Sequence, residues 1–90
     1  TEVQNNLTAQ YEMASFELSR VKQQVELYSK QVAQTKQIIT LLTTAYGNDE
    51  ADFEEILSMQ QALLKYELLE ITAKKEYALA IAKLEYLTAN

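Results

Sequence analysis

Tyr46-Gly47-Asn48-Asp49-Glu50-Ala51-Asp52-Phe53 is the one stretch in which this chain has reason to reverse direction. Its Gly47 is the only glycine among 90 residues, and the chain has no proline. Glycine enters the left-handed region that ends many helices, so Gly47 is expected to adopt it and stop the first helix. Asp52 is a favourable N-cap for the next helix. Glu55, three residues on, would complete a capping-box-like pair, with Ala51 and Ile56 at the staple positions. Stop and start signals lie so close together that the two helices must run antiparallel.

Outward from the turn, the spacing is helical on both sides. Upstream, Leu7, Tyr11, Ala14, Leu18, Val21, Val25, Tyr28, Val32, Thr35, Ile39, Leu42 and Tyr46 recur at intervals of four and three, with Thr35 the one polar member. Such a stripe favours knobs-into-holes packing, whereas a strand needs alternation by two. Downstream, Ile56, Met59, Leu63, Tyr66, Glu70, Ala73, Tyr77, Ala80, Leu84 and Leu87 repeat the pattern, with Glu70 polar. The expectation is an all-α, long antiparallel two-helix coiled-coil hairpin, a single unit over 1–90. Its first helix covers about 2–46, its turn about 47–52 and its second helix about 53–88. Each helix would be on the order of 60 Å long at 1.5 Å per residue.

The second helix carries a further stripe: Phe53, Leu57, Leu64, Leu68, Ile71, Ala78, Ala82 and Tyr86. Such width suits a broad core face in a bundle, or a helix that touches neighbours on two sides. Periodicity does not decide between them. A two-helix rod buries little per residue, so self-association is expected either way. If Tyr46 and Phe53 face each other across the turn, Glu70 falls beside Tyr28 to Lys30. A buried carboxylate needs a partner, so Glu70 should bond Lys30 or the Tyr28 hydroxyl, or else reach solvent.

Composition removes several functions. Without His or Cys the chain lacks the commonest general base, the commonest metal ligand and any disulfide. A net charge of −5 is wrong for nucleic acid, which needs basic surface against its phosphates. No apolar run is long enough to span a bilayer as a helix. The chain lacks an initiator Met and opens on helical sequence at Thr1, so it reads as an excised segment whose targeting signals are not in view. Residues 1–46 balance their charges, and the whole −5 falls on the second half.

Five acids gather at the turn: Asp49, Glu50, Asp52, Glu54 and Glu55. Acids favour a helix N-terminus through the macrodipole and as caps, and an acidic tip can also meet a partner or line an opening. Both readings hold together. A calcium loop starting at Asn48 fails, because Phe53 stands where glycine is needed and Met59 where the last glutamate is needed. No cleft is expected to raise a carboxyl pKa for acid–base work. The six tyrosines fall mostly on the stripes and are assigned to packing, and the two methionines are too far apart for a metal relay. No catalytic residue, cofactor or metal site is expected, and the chain is not read as an enzyme.

Ala45-Tyr46-Gly47 through Leu87 resembles the second periplasmic hairpin of TolC-like outer-membrane efflux proteins. The resemblance rests on the order of elements: an aromatic, a glycine-containing tip, then the run Asp52-Phe53-Glu54-Glu55-Ile56-Leu57-Ser58-Met59-Gln60-Gln61-Ala62-Leu63-Leu64-Lys65-Tyr66-Glu67. The returning Lys75-Glu76-Tyr77-Ala78-Leu79-Ala80-Ile81-Ala82-Lys83-Leu84-Glu85-Tyr86-Leu87 matches the family's tyrosine-containing repeat. Leu27-Tyr28-Ser29-Lys30-Gln31-Val32 and Ile39-Thr40-Leu41-Leu42 resemble its descending helix. The Phe-Glu-Glu-Ile-Leu run is similar to members that export heavy metals. The family often places glycine three residues after the aromatic, where this chain has Asp49.

The resemblance implies a trimer whose hairpins form an α-barrel across the periplasm below an outer-membrane β-barrel. This chain would be one periplasmic hairpin of that bacterial outer-membrane protein, itself outside the membrane. Tyr46, Gly47, Asn48, Asp49, Glu50, Asp52 and Phe53 would form the tip that meets a periplasmic adaptor, which in turn joins an inner-membrane pump. Two other readings share the rod shape: the coiled-coil hairpin of such an adaptor, and a structural coiled coil whose stripes serve self-association.

Overall fold

The computed structural model describes residues 1–89. Two helices account for nearly all of it: α1 (Glu2–Gly47, 46 residues) and α2 (Phe53–Thr88, 36 residues). They run antiparallel as a rod of 71 × 15 × 13 Å. α1 opens with Thr1 as its cap: the Thr1 hydroxyl accepts from the Gln4 backbone N–H, and the Gln4 side chain accepts from the Thr1 amine. Among the described residues no helix is long and apolar enough to cross a membrane.

The seam between the helices is built from the two stripes with 4–3 spacing. Ala14, Val21, Val32 and Thr35 are buried on α1, and Ile56, Ala73 and Ala80 on α2, while most other stripe members are half-buried. Val21 is fully enclosed, at 0% exposure. Thr35, the polar exception on α1, donates its hydroxyl to the Gln31 carbonyl at 2.8 Å. Back-bonding within its own helix lets a threonine occupy a buried position with its polar group satisfied.

Glu70, the exception on α2, is met from across the seam. The Ser29 hydroxyl donates to Glu70 Oε2 at 2.5 Å, and Lys74 Nζ lies 3.8 Å from the same oxygen. The expected partners, Tyr28 and Lys30, flank the actual one. The expected level was right, but Ser29 points into the seam there and Lys30 is exposed. Among the described residues no buried side-chain polar atom lacks a partner.

Ser29–Glu70 and Tyr46–Phe53 share one register, which sets Thr88 opposite Tyr11. The first residues of α1 therefore overhang α2. This overhang explains why Leu7 and Tyr11, placed on the seam by spacing, are exposed. Tyr46 is exposed at the other end, where α1 runs into the turn.

Candidate functional site

At the tip, α1 ends in a Schellman motif. The Glu50 N–H donates to the Ala45 carbonyl at 2.7 Å, and the Asp49 N–H to the Tyr46 carbonyl at 3.1 Å. That motif needs a left-handed residue, and Asp49 supplies it with φ 60°. The expectation that Gly47 takes this role is corrected: Gly47 remains helical, with no positive φ. The chain reverses two residues later than the glycine suggests, because the carbonyls of Ala45 and Tyr46 are the ones that find donors there.

Asp52 stands at the N-cap of α2 with extended backbone (φ −91°, ψ 149°), yet its carboxylate makes no capping hydrogen bond. The Glu55 N–H instead donates to the Asp52 backbone carbonyl at 3.1 Å. The capping-box pair is thus absent, although the cap position is as expected. Both Asp52 and Glu55 leave their carboxylates in solvent.

Tyr46 and Phe53 meet across the turn with ring centroids 6.1 Å apart, tilted by 56°. Aromatic pairs favour such tilted geometry. The pair anchors the tip while remaining largely exposed. Around it Gly47, Asn48, Asp49, Glu50, Asp52, Glu54 and Glu55 are exposed as well. The tip is therefore an aromatic pair set in an exposed acidic surface. It can offer a docking surface and a negative field. Among the described residues no group of three or more carboxylates converges in a way that would hold a metal ion.

The second exposed feature is the further stripe of α2. Phe53 is 58% exposed, Leu64 60% and Ile71 63%, and Leu57, Leu68, Ala78, Ala82 and Tyr86 are also exposed. Apart from Tyr46 against Phe53 at the tip, α1 leaves this stripe largely open. Stripe counting misses another exposed apolar group, Met13, Phe16 and Leu79, because these residues lie off every stripe. They could have been found only as large apolar residues at positions the seam does not use. Beside them, Arg20 chelates Glu17 through Nε at 3.0 Å and Nη2 at 2.5 Å. Those hydrogen bonds, joined by the positive charges of Arg20 and Lys83, hold the Glu17 carboxyl below its ordinary range despite partial desolvation.

No family model, characterised protein or solved structure matches this chain.

Proposed function

We propose that the hairpin is one stave of a helical wall: a periplasmic hairpin of a trimeric, TolC-like outer-membrane efflux channel, docking a periplasmic adaptor at its acidic tip. One observation carries this reading. The seam stripe of α2 is buried or half-buried against α1, yet a second apolar stripe runs exposed along the same helix. A helix that must pack on two sides belongs to a sheet or ring of helices rather than to an isolated pair. The tip lends support, since Asp49 takes a left-handed φ at the place where the family often has glycine.

In this reading α1 and α2 line part of the tunnel, and the Asp49–Phe53 surface faces the adaptor. Five carboxylates at the entrance favour cations and repel anions. The test uses the intact gene product. Changing Asp49, Glu50 and Asp52 together to lysine should abolish adaptor binding and efflux while leaving assembly of the channel unchanged. Normal efflux and adaptor binding by that variant would overturn the tip assignment. A lipoyl-like β-rich domain flanking the hairpin, in place of amphipathic strands, would make it an adaptor hairpin instead.

A further inference from the structure

Six of the eight members of the exposed α2 stripe pair off about one point of the helix, together with Gln60 and Lys75 between them; Leu68 and Tyr86 instead find Glu67 and Asp49 at their mirror positions. Phe53 and Ala82 are equidistant from the point between Glu67 and Leu68, and so are Leu57 and Ala78, Gln60 and Lys75, and Leu64 and Ile71. All eight side chains are exposed. Successive members are three, four or, across the centre, seven residues apart, so they share one face of the helix. A surface that matches itself under end-to-end reversal is what a twofold interface requires, because each patch must complement its own copy.

We propose that this face is the docking surface for a second copy of the chain, packed α2 against α2, antiparallel, with the twofold axis crossing between Glu67 and Leu68. Size complements size in that register. Phe53 and Leu57 of one copy lie against Ala82 and Ala78 of the other, so large meets small at both ends. Leu64 meets Ile71 near the centre. The helices can then keep one spacing along the whole contact.

One charge pair near each end agrees with the register. The first turn of α2 carries Glu54 and Glu55 with no base, and its distal part carries Lys74, Lys75 and Lys83 against Glu76 and Glu85. Antiparallel pairing sets Glu54 within one turn of Lys83 of the other copy, on the same side of the contact, and symmetry makes this pair twice. A parallel pairing would instead stack the acidic first turns on each other. The contact spans residues 53–82, about 45 Å of helix. With a helix about 10 Å wide it covers on the order of 450 Å² per copy, about 900 Å² in all, below the roughly 1,200 Å² at which stable specific interfaces begin. The dimer is therefore expected to be weak and concentration-dependent. It depends on the hairpin's own surface and competes with the channel reading, in which a neighbouring stave standing in the same direction would cover the same face.

The chain has no cysteine, so single-cysteine variants report the register directly. Leu68→Cys alone should give a disulfide-linked dimer on mild oxidation, because position 68 lies beside the axis. Phe53→Cys alone should not, since the two copies of position 53 would be about 43 Å apart. A mixture of Phe53→Cys and Ala82→Cys chains should cross-link to each other. Sedimentation equilibrium gives the second arm. Leu64→Glu should weaken the dimer at least tenfold while helical content stays unchanged, because Leu64 is not part of the seam. Cross-linking of Phe53→Cys to itself, an uncross-linked Leu68→Cys, or a chain monomeric at every concentration up to millimolar would overturn the proposal.

Discussion

Asp49 holds a φ of 60°, a conformation that costs an L-residue about 1 kcal/mol relative to glycine, while the chain's one glycine occupies ordinary helix two residues earlier. The two positions are mismatched to their residues, and two variants follow. Asp49→Gly should raise the free energy of unfolding by about 0.5–1 kcal/mol, because the Schellman geometry then carries no strain. Gly47→Ala should also stabilise, by up to about 1 kcal/mol, since an added Cβ meets nothing within 4 Å and alanine is the better helix former. Urea denaturation followed by circular dichroism at one chain concentration measures both. A destabilised Asp49→Gly chain would show that the left-handed residue is elsewhere. The sequence points to the turn but not to this residue. Glycine marks permission for a left-handed φ, whereas the hydrogen bonds from Asp49 and Glu50 back to Tyr46 and Ala45 decide which residue must adopt it. Asp52 teaches the same lesson about caps. Its position was legible, but its carboxylate has no bond, so Asp52→Ala should cost only a few tenths of a kcal/mol rather than the roughly 1 kcal/mol of a bonded cap.

At the scale of the helices, intervals of four and three located the seam because burial between two helices follows backbone geometry alone. Val21 is the sharpest test. It is fully enclosed, so Val21→Ala should cost about 2 kcal/mol. Phe16→Ala removes a larger side chain that is 73% exposed and should change stability by less than about 0.5 kcal/mol. The same denaturation experiment reads both, and equal losses would contradict the seam. The Ser29–Glu70 bond was legible as a level along the rod but not as a partner, since neighbouring side chains at that level point in different directions. Ser29→Ala should cost about 1–2 kcal/mol, reflecting a hydrogen bond to a charged group. The overhang of α1 was legible from the Tyr46–Phe53 register and the expected end of α2 near 88, but not from the stripe itself, because apolar spacing continues through Leu7 whether or not α2 reaches it. On the surface of α1, Arg20 lowers the pKa of Glu17, so this pair favours the helix above the ordinary glutamate range and loses its effect as pH falls through the lowered pKa. Carboxyl chemical shifts of Glu17 against pH should show a midpoint below that of a solvated glutamate, and Arg20→Gln should restore the ordinary value.

For the whole molecule, length becomes the discriminating quantity. The hairpin is a rod 71 Å long whose tip lies near one end and whose α1 overhang forms the other. A twofold axis between Glu67 and Leu68 is off-centre on that rod. At 1.5 Å per residue, about 26 Å of each copy extends from the axis toward its own tip and about 46 Å toward its own α1 overhang. An antiparallel pair must then overlap through its middle and project an overhang at each end, for a maximum dimension of about 90 Å. Copies aligned side by side in parallel, as staves of one wall with their tips together, would keep the length of the single rod and increase only its width. Small-angle scattering over a concentration series separates the two. The radius of gyration of the hairpin's Cα atoms is 20.2 Å, and at low concentration the scattering should approach that of a single rod. As the chain concentration rises, the maximum dimension should grow from about 70 Å toward about 90 Å if the α2 faces pair about their twofold axis. Growth in cross-section at constant length would instead mean that the exposed stripe meets a neighbour standing in the same direction.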